Sequence, residues 1–225
     1  GTLDDLGFFA EHKIDYPDAD CGQDVCIHTL LGVTGNMITG SNCTLVQLGL
    51  NTPIDPATIE RPPLHLVLAV DQGASMAGAP ITFVKAGLDR MLDALMPEDK
   101  ISLVTYSNTA HVVLQEVPAT DFMTLVNAFD GIKAIGSSNL YDGMFTAFSV
   151  AKSAQDIAWQ NRVILLSDGI ANVGITQTAK MVSLARAYAK EGIGITTIGI
   201  GNEFNIDVMR SVAEVGAGNF YFLEN

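Results

Sequence analysis

Two carboxylates stand where apolar runs end. Leu64 to Val70 is followed by Asp71-Gln72-Gly73-Ala74-Ser75-Met76, and Val163 to Leu166 by Ser167-Asp168-Gly169. Between these two points the chain carries Gly136-Ser137-Ser138-Asn139-Leu140-Tyr141-Asp142-Gly143, a polar stretch able to deliver a hydroxyl to the same place. Carboxylates and hydroxyls are hard oxygen donors. Mg²⁺ prefers octahedral oxygen ligation, keeps several waters and needs one or two protein carboxylates, so a few oxygens at three loop tips suffice. None of the three stretches contains Lys or Arg. Paired Asp side chains without a basic neighbour repel each other or take up a proton, a cost that a bound cation relieves. Plainer roles exist for the same residues. Asp71 and Asp168 can accept backbone N–H bonds within their loops, Ser75 can N-cap the next helix, and Asp142 is expected to cap the helix after the second loop. His65 is expected to be a satisfied core histidine, and Tyr106 and Trp159 to be packing residues.

The elements that must position these groups follow from periodicity. From Leu64 onward, apolar β-type runs alternate with amphipathic helices, which predicts an α/β layer fold with a largely parallel sheet. The strands are expected at Leu64–Val70, Ile101–Tyr106, Val112–Val117, Val163–Leu166, Ile195–Ile200 and Phe220–Leu223. Most are apolar on both faces, as a sheet covered on each side requires. Val84, Leu88, Met91, Leu92 and Leu95 share one helical face, as do Phe122, Leu125, Val126 and Phe129. Met181, Leu184, Ala185 and Tyr188 repeat the spacing, and a last helix is expected from Asn205, a good N-cap, to Val215. No helix separates Ile101–Tyr106 from Val112–Val117, so these two should form an antiparallel pair at the sheet edge. In such sheets ligands bind at the carboxyl ends of the strands, where strand order reverses.

Upstream, two β-prone runs, Cys26–Val33 and Cys43–Leu50, flank a Gly- and Asn-rich stretch and predict a hairpin. Pro53, Pro56, Pro62 and Pro63 mark an extended connection. The expected organisation is an N-terminal arm and β appendage over residues 1–62 and an α/β domain over 63–225. All three cysteines, Cys21, Cys26 and Cys43, lie in the appendage. Cys21 and Cys26 can staple a segment too short for its own core, which implies an oxidising compartment; three reduced thiols, or a metal site with His28, are the alternatives.

Taken together, Leu66-Val67-Leu68-Ala69-Val70-Asp71-Gln72-Gly73-Ala74-Ser75, Ser138-Asn139-Leu140-Tyr141-Asp142-Gly143 and Leu165-Leu166-Ser167-Asp168-Gly169 resemble the three motifs of von Willebrand factor type A domains, in that family's order. The resemblance implies a Rossmann-like three-layer fold, with a mostly parallel six-stranded sheet and one antiparallel edge strand beside the β appendage. It also implies a metal-ion-dependent adhesion site at the top of the sheet. Asp71 and Ser75 match the first and last positions of the family's DxSxS, Ser138 the second-loop hydroxyl and Asp168 the third-loop carboxylate. The metal would be Mg²⁺, with Mn²⁺ or Ca²⁺ as substitutes, and its open position would take an Asp or Glu of a partner protein. In some members, opening of the site is coupled to movement of the last helix. The middle hydroxyl of DxSxS is missing here, because that position is Gly73; metal affinity should fall, and Gly73→Ser should raise it. Residues 1–62 lie outside the resemblance and look like the leader regions of some bacterial extracytoplasmic members. The chain is therefore expected to be secreted, periplasmic or surface-exposed, with its address segment removed before Gly1.

Composition narrows the alternatives. The 225 residues carry 12 basic and 25 acidic side chains, for a net charge of −13. Nucleic-acid binding needs clustered Lys and Arg, which are absent, and no apolar run has the length of a membrane span. A serine hydrolase built on Gly73-Ala74-Ser75-Met76-Ala77 would need a histidine late in the chain, but the last is His111. No Gly-rich phosphate cradle is present. A metal-assisted phosphoester hydrolase fits the two carboxylates, although the loops offer no Lys or Arg to steady a phosphoryl group. The leading expectation is a non-enzymatic protein-binding module, with a metal-independent scaffold as the second.

Overall fold

A computed structural model describes residues 17–35, 39–55, 61–156, 158–201 and 205–223. Residues 1–16 of the irregular arm expected over 1–25, and the parts of the hairpin turn and Pro-rich connection at 36–38 and 56–60, lie outside the described residues. The chain divides into two units, Gly1–Arg61 and Pro62–Asn225.

In the smaller unit, β1 (Cys26–Gly35) and β2 (Asn42–Asn51) form an antiparallel hairpin, with Cys26 opposite Asn51 and Gly35 opposite Asn42. Cys21 is disulfide-bonded to Cys26, and Cys43 is a free, exposed thiol. That bond removes the alternative of a metal held by Cys21, Cys26 and His28; the His28 ring instead hydrogen-bonds Asn51 Oδ1 at 2.8 Å.

The larger unit runs β3 (Leu64–Asp71), α1 (Ala79–Leu92), β4 (Lys100–Tyr106), β5 (Ala110–Pro118), α2 (Phe122–Asp130), α3 (Leu140–Ser153), β6 (Gln160–Ser167), α4 (Thr178–Ala189), β7 (Gly194–Ile200), α5 (Ile206–Val215) and β8 (Phe220–Leu223). The sheet order is β5-β4-β3-β6-β7-β8. Only β5 is antiparallel to its neighbour, as the missing helix before it predicts. Alternation along β3 sends Val67 and Ala69 to a core shared with α3, α4 and α5, and Leu68 and Val70 to a core shared with α1 and α2. The result is three layers.

The chain leaves β3 in one direction to β4 and β5, then returns to the other side of β3 as β6. Strand order therefore reverses between β3 and β6, and the crevice beyond their carboxyl ends is where such folds hold ligands. Asp71 is the last residue of β3, and Asp168 follows the last residue of β6.

Candidate functional site

Three loops are knitted together over this crevice by backbone bonds. Ala74 N–H donates to Gly136 O, Ile135 N–H to Gln72 O, and Asn172 N–H to Ser138 O. The Asn172 side chain returns the last contact, accepting from Ser138 N–H at 2.8 Å. Gly136 adopts φ 72°, a region that side chains disfavour, so this turn needs glycine. Asn139 caps α3 by accepting from Asp142 N–H. The expected cap, Asp142, does something else: its carboxylate accepts from Ala110 N–H at 2.7 Å and ties the second loop's helix to the start of β5.

At the centre lies Asp71. Ser138 Oγ donates to its Oδ1 at 2.9 Å, Gly73 N–H to the same oxygen at 2.7 Å, and Ser167 Oγ to its Oδ2 at 2.7 Å. Asp71, Ser138, Ser167 and Asp168 are all at most 4% exposed. Burial pushes the Asp71 carboxyl up to about 6, and the nearby Asp168 charge adds to the rise; its three donors act against it. No Lys or Arg acts on it. Asp168 Oδ1 accepts from Ile170 N–H at 2.9 Å, whereas Asp168 Oδ2 is buried with no hydrogen-bond partner. So is the hydroxyl of Tyr106, the residue directly opposite Asp71 on β4.

The structure thus brings together Asp71, Ser138 and Asp168, three of the four residues expected at the site. Ser75 stands exposed on a 3-10 turn (Ala74–Met76) and bonds to none of them; nor does it cap α1, whose N-cap is Gly78. The loop-capping roles of Asp71 and Asp168 are also real, since each accepts a backbone N–H. Two participants were not foreseen. Ser167 is the strand residue immediately before Asp168, and Tyr106 ends its strand at the level of Asp71. The signal for Ser167 was a hydroxyl at a strand tip next to a carboxylate.

Gly73 has a consequence beyond a lost ligand. A Cβ built at position 73 would overlap Ser138 Oγ, so the second-loop hydroxyl fills the volume that a side chain there would take. Ser138 is free to close onto Asp71 because residue 73 is glycine.

Residues 66–170 match the von Willebrand factor type A domain. The larger unit has the von Willebrand factor type A fold. The chain is homologous to other proteins that carry it. It is 27% identical to the uncharacterized protein YfbK of Escherichia coli over 172 residues, 76% of this chain and 30% of that protein. It is 25% identical to the uncharacterized protein sll0103 of Synechocystis over 166 residues, 73% of this chain and 39% of that one. The chain thus spans well under half the length of these curated relatives. Among solved structures, the type A domain of the type V pili tip protein Mfa5 from Porphyromonas gingivalis superimposes with a TM-score of 0.59 at 14% identity, covering 74% of this chain and 91% of that one. Among the described residues no group of three or more His, Cys, Asp or Glu converges as a metal cluster. The crevice holds two carboxylates with hydroxyls beside them.

Proposed function

We propose that the type A unit is a non-catalytic protein-binding module that captures an Asp or Glu carboxylate of a partner through a divalent ion. The observation carrying this reading is the convergence of Asp71, Ser138 and Asp168 from three loops, with Asp168 Oδ2 buried and without a partner. An orphaned carboxylate oxygen beside a second carboxylate, with no basic side chain acting on that one, fits a hard cation. Asp71, Ser138 and Asp168 would hold Mg²⁺, or Mn²⁺ or Ca²⁺ in its place, with water completing the sphere. The ion would supply a coordination position for the visiting carboxylate. Ser138 must first rotate off Asp71, so occupancy competes with an existing hydrogen bond and affinity is low. The last helix can sense that change, because Asn205 N–H, at the start of α5, donates to Asp168 O at 3.0 Å.

The disulfide in the smaller unit supports a secreted, periplasmic or surface location, where such bonds persist. The pilus-tip setting of Mfa5 is in keeping with an adhesive role. None of the stretches 71–78, 136–143 and 167–172 contains Lys, Arg or His, which disfavours phosphoryl chemistry.

A second reading is favoured by the same cluster. Asp71 already receives three hydrogen bonds without any ion, as in a scaffold whose site has lapsed. Calorimetric titration with Mg²⁺ and Mn²⁺ separates the two. Binding in the high micromolar to millimolar range, lost in Asp71→Asn, is expected; no heat at millimolar metal, with partner capture insensitive to EDTA, supports the scaffold. Turnover of a generic phosphoester that is lost in Asp71→Ala would overturn the non-catalytic reading altogether.

A further inference from the structure

The hairpin of the smaller unit presents one face that is exposed among the described residues. Successive strand residues point to opposite sides, and paired residues share a side. The register therefore places Ile27, Leu31, Val33, Val46, Leu48 and Leu50 on one face with Thr29 and Thr44. These six side chains are between 56% and 73% exposed. The opposite face interrupts Leu30 and Leu45 with His28, Gln47, Thr34 and Cys43. That side also receives the chain's own local cover. Cys26 is buried, and Asn51, opposite it, donates from Nδ2 to Pro17 O at 2.6 Å. Among the described residues the apolar face thus remains open, while Pro17 lies on the side of Asn51.

An isolated two-stranded hairpin is marginal in water, and a continuous apolar stripe of this kind marks a buried surface. We propose that the occupant is a second copy of the same hairpin, packed face to face as a two-layer sandwich. Three features point to self-association. The stripe runs from the Ile27–Leu50 pair through Leu48 and the Leu31–Val46 pair to Val33, and a two-fold axis can set it against its own image. Neither strand contains a charged residue, so the molecule's net charge of −13 creates no like-charge contact at this face. The area also suffices: two copies would remove about 1,200 Å² from water in all, the lower end for specific interfaces. A reversible dimer follows. Cys43 lies on the other face, so no disulfide links the two copies.

Sedimentation velocity on the full 225-residue chain, with EDTA present and the Cys21–Cys26 bond intact, before and after alkylation of Cys43, tests this. The expected result is a concentration-dependent species of twice the 23.9 kDa chain mass, formed at tens of micromolar. Leu31→Lys and, separately, Leu48→Ser should weaken association at least tenfold. Leu45→Lys, on the opposite face, should change it less than about twofold, each variant keeping the wild-type circular dichroism. A chain that stays monomeric at hundreds of micromolar overturns the proposal. So does a dimer that Leu31→Lys and Leu48→Ser leave intact, one that Leu45→Lys weakens equally, or one that alkylation of Cys43 abolishes.

Discussion

Gly73 decides the state of the site because of what its missing side chain permits. Its backbone, at φ −55° and ψ 155°, accepts any residue without strain, so the main cost of a side chain is eviction of Ser138 Oγ, with Asp71 Oδ1, 3.1 Å from the new Cβ, giving slightly. Gly73→Ser should therefore weaken the metal-free protein by about 1.5–3 kcal/mol, the value of a hydrogen bond to a carboxylate, and tighten Mg²⁺ binding. Gly73→Ala should show the same loss without the gain, because it evicts Ser138 but supplies no hydroxyl; equal metal affinities in the two variants would contradict the account. Protonation of Asp71 gives a second test. Its folded-state carboxyl titrates near 6 against 3.8 unfolded, so the folded protein binds the proton more tightly. The contribution to stability is complete below pH 4 and disappears as pH rises through 6, a change on the order of 3 kcal/mol. Mg²⁺ should raise the melting temperature at pH 7.5 but not at pH 5, and Asp71→Asn should remove both the pH step and the metal response. The sequence reveals Asp71, Ser138 and Asp168 because each follows directly from a strand end or loop motif. Tyr106 escaped because its place beneath Asp71 depends on the β3–β4 register, a long-range pairing that no local pattern encodes.

At the scale of elements, the far end of the sheet is locked by a chain of polar groups quite separate from the metal loops. Ser102 Oγ accepts from Glu116 N–H at 2.9 Å, which leaves its proton for His65 Nε2, also at 2.9 Å. His65 must then carry its own proton on Nδ1, donated to Asn161 Oδ1 at 2.9 Å. The network joins β4, β3 and β6 and also holds the irregular stretch of β5, where the register slips and Glu116 adopts φ 49°. Ser102→Ala would strand the Glu116 N–H and the His65 ring nitrogen inside the protein. A loss of about 2–3 kcal/mol is expected in urea unfolding, with Mg²⁺ affinity unchanged. Burial lowers the His65 pKa below 6.5, so the fold favours the neutral ring, and this contribution is lost as pH falls below 6.5. Element types and order were legible because period 2 and period 3.6 runs alternate cleanly. Asn205 was legible as an N-cap, and the structure has its side chain accepting from Val208 N–H. The irregularity in β5 was not, since it arises from Ser102 reaching across to a neighbouring strand rather than from any Gly or Pro in the run Val112 to Val117.

At the scale of the whole molecule, the two units differ in what holds them together. Among the described residues, the two apolar cores of the larger unit lie between Val67 and Phe220, one on each side of the sheet. The smaller unit has a hairpin, a disulfide closing a short loop and an open apolar face. Stability should accordingly be confined. A fragment of residues 62–225 should fold alone, melt within a few degrees of the full chain, and retain its response to Mg²⁺ and to Asp71→Asn. In the full chain, amides of β1 and β2 should exchange with solvent far faster than those of β3 and β6, and faster still once the Cys21–Cys26 bond is reduced. If the fragment is unfolded, or if the hairpin amides are as protected as the central strands in dilute monomeric protein, then the cores described here do not account for what keeps the sheet intact.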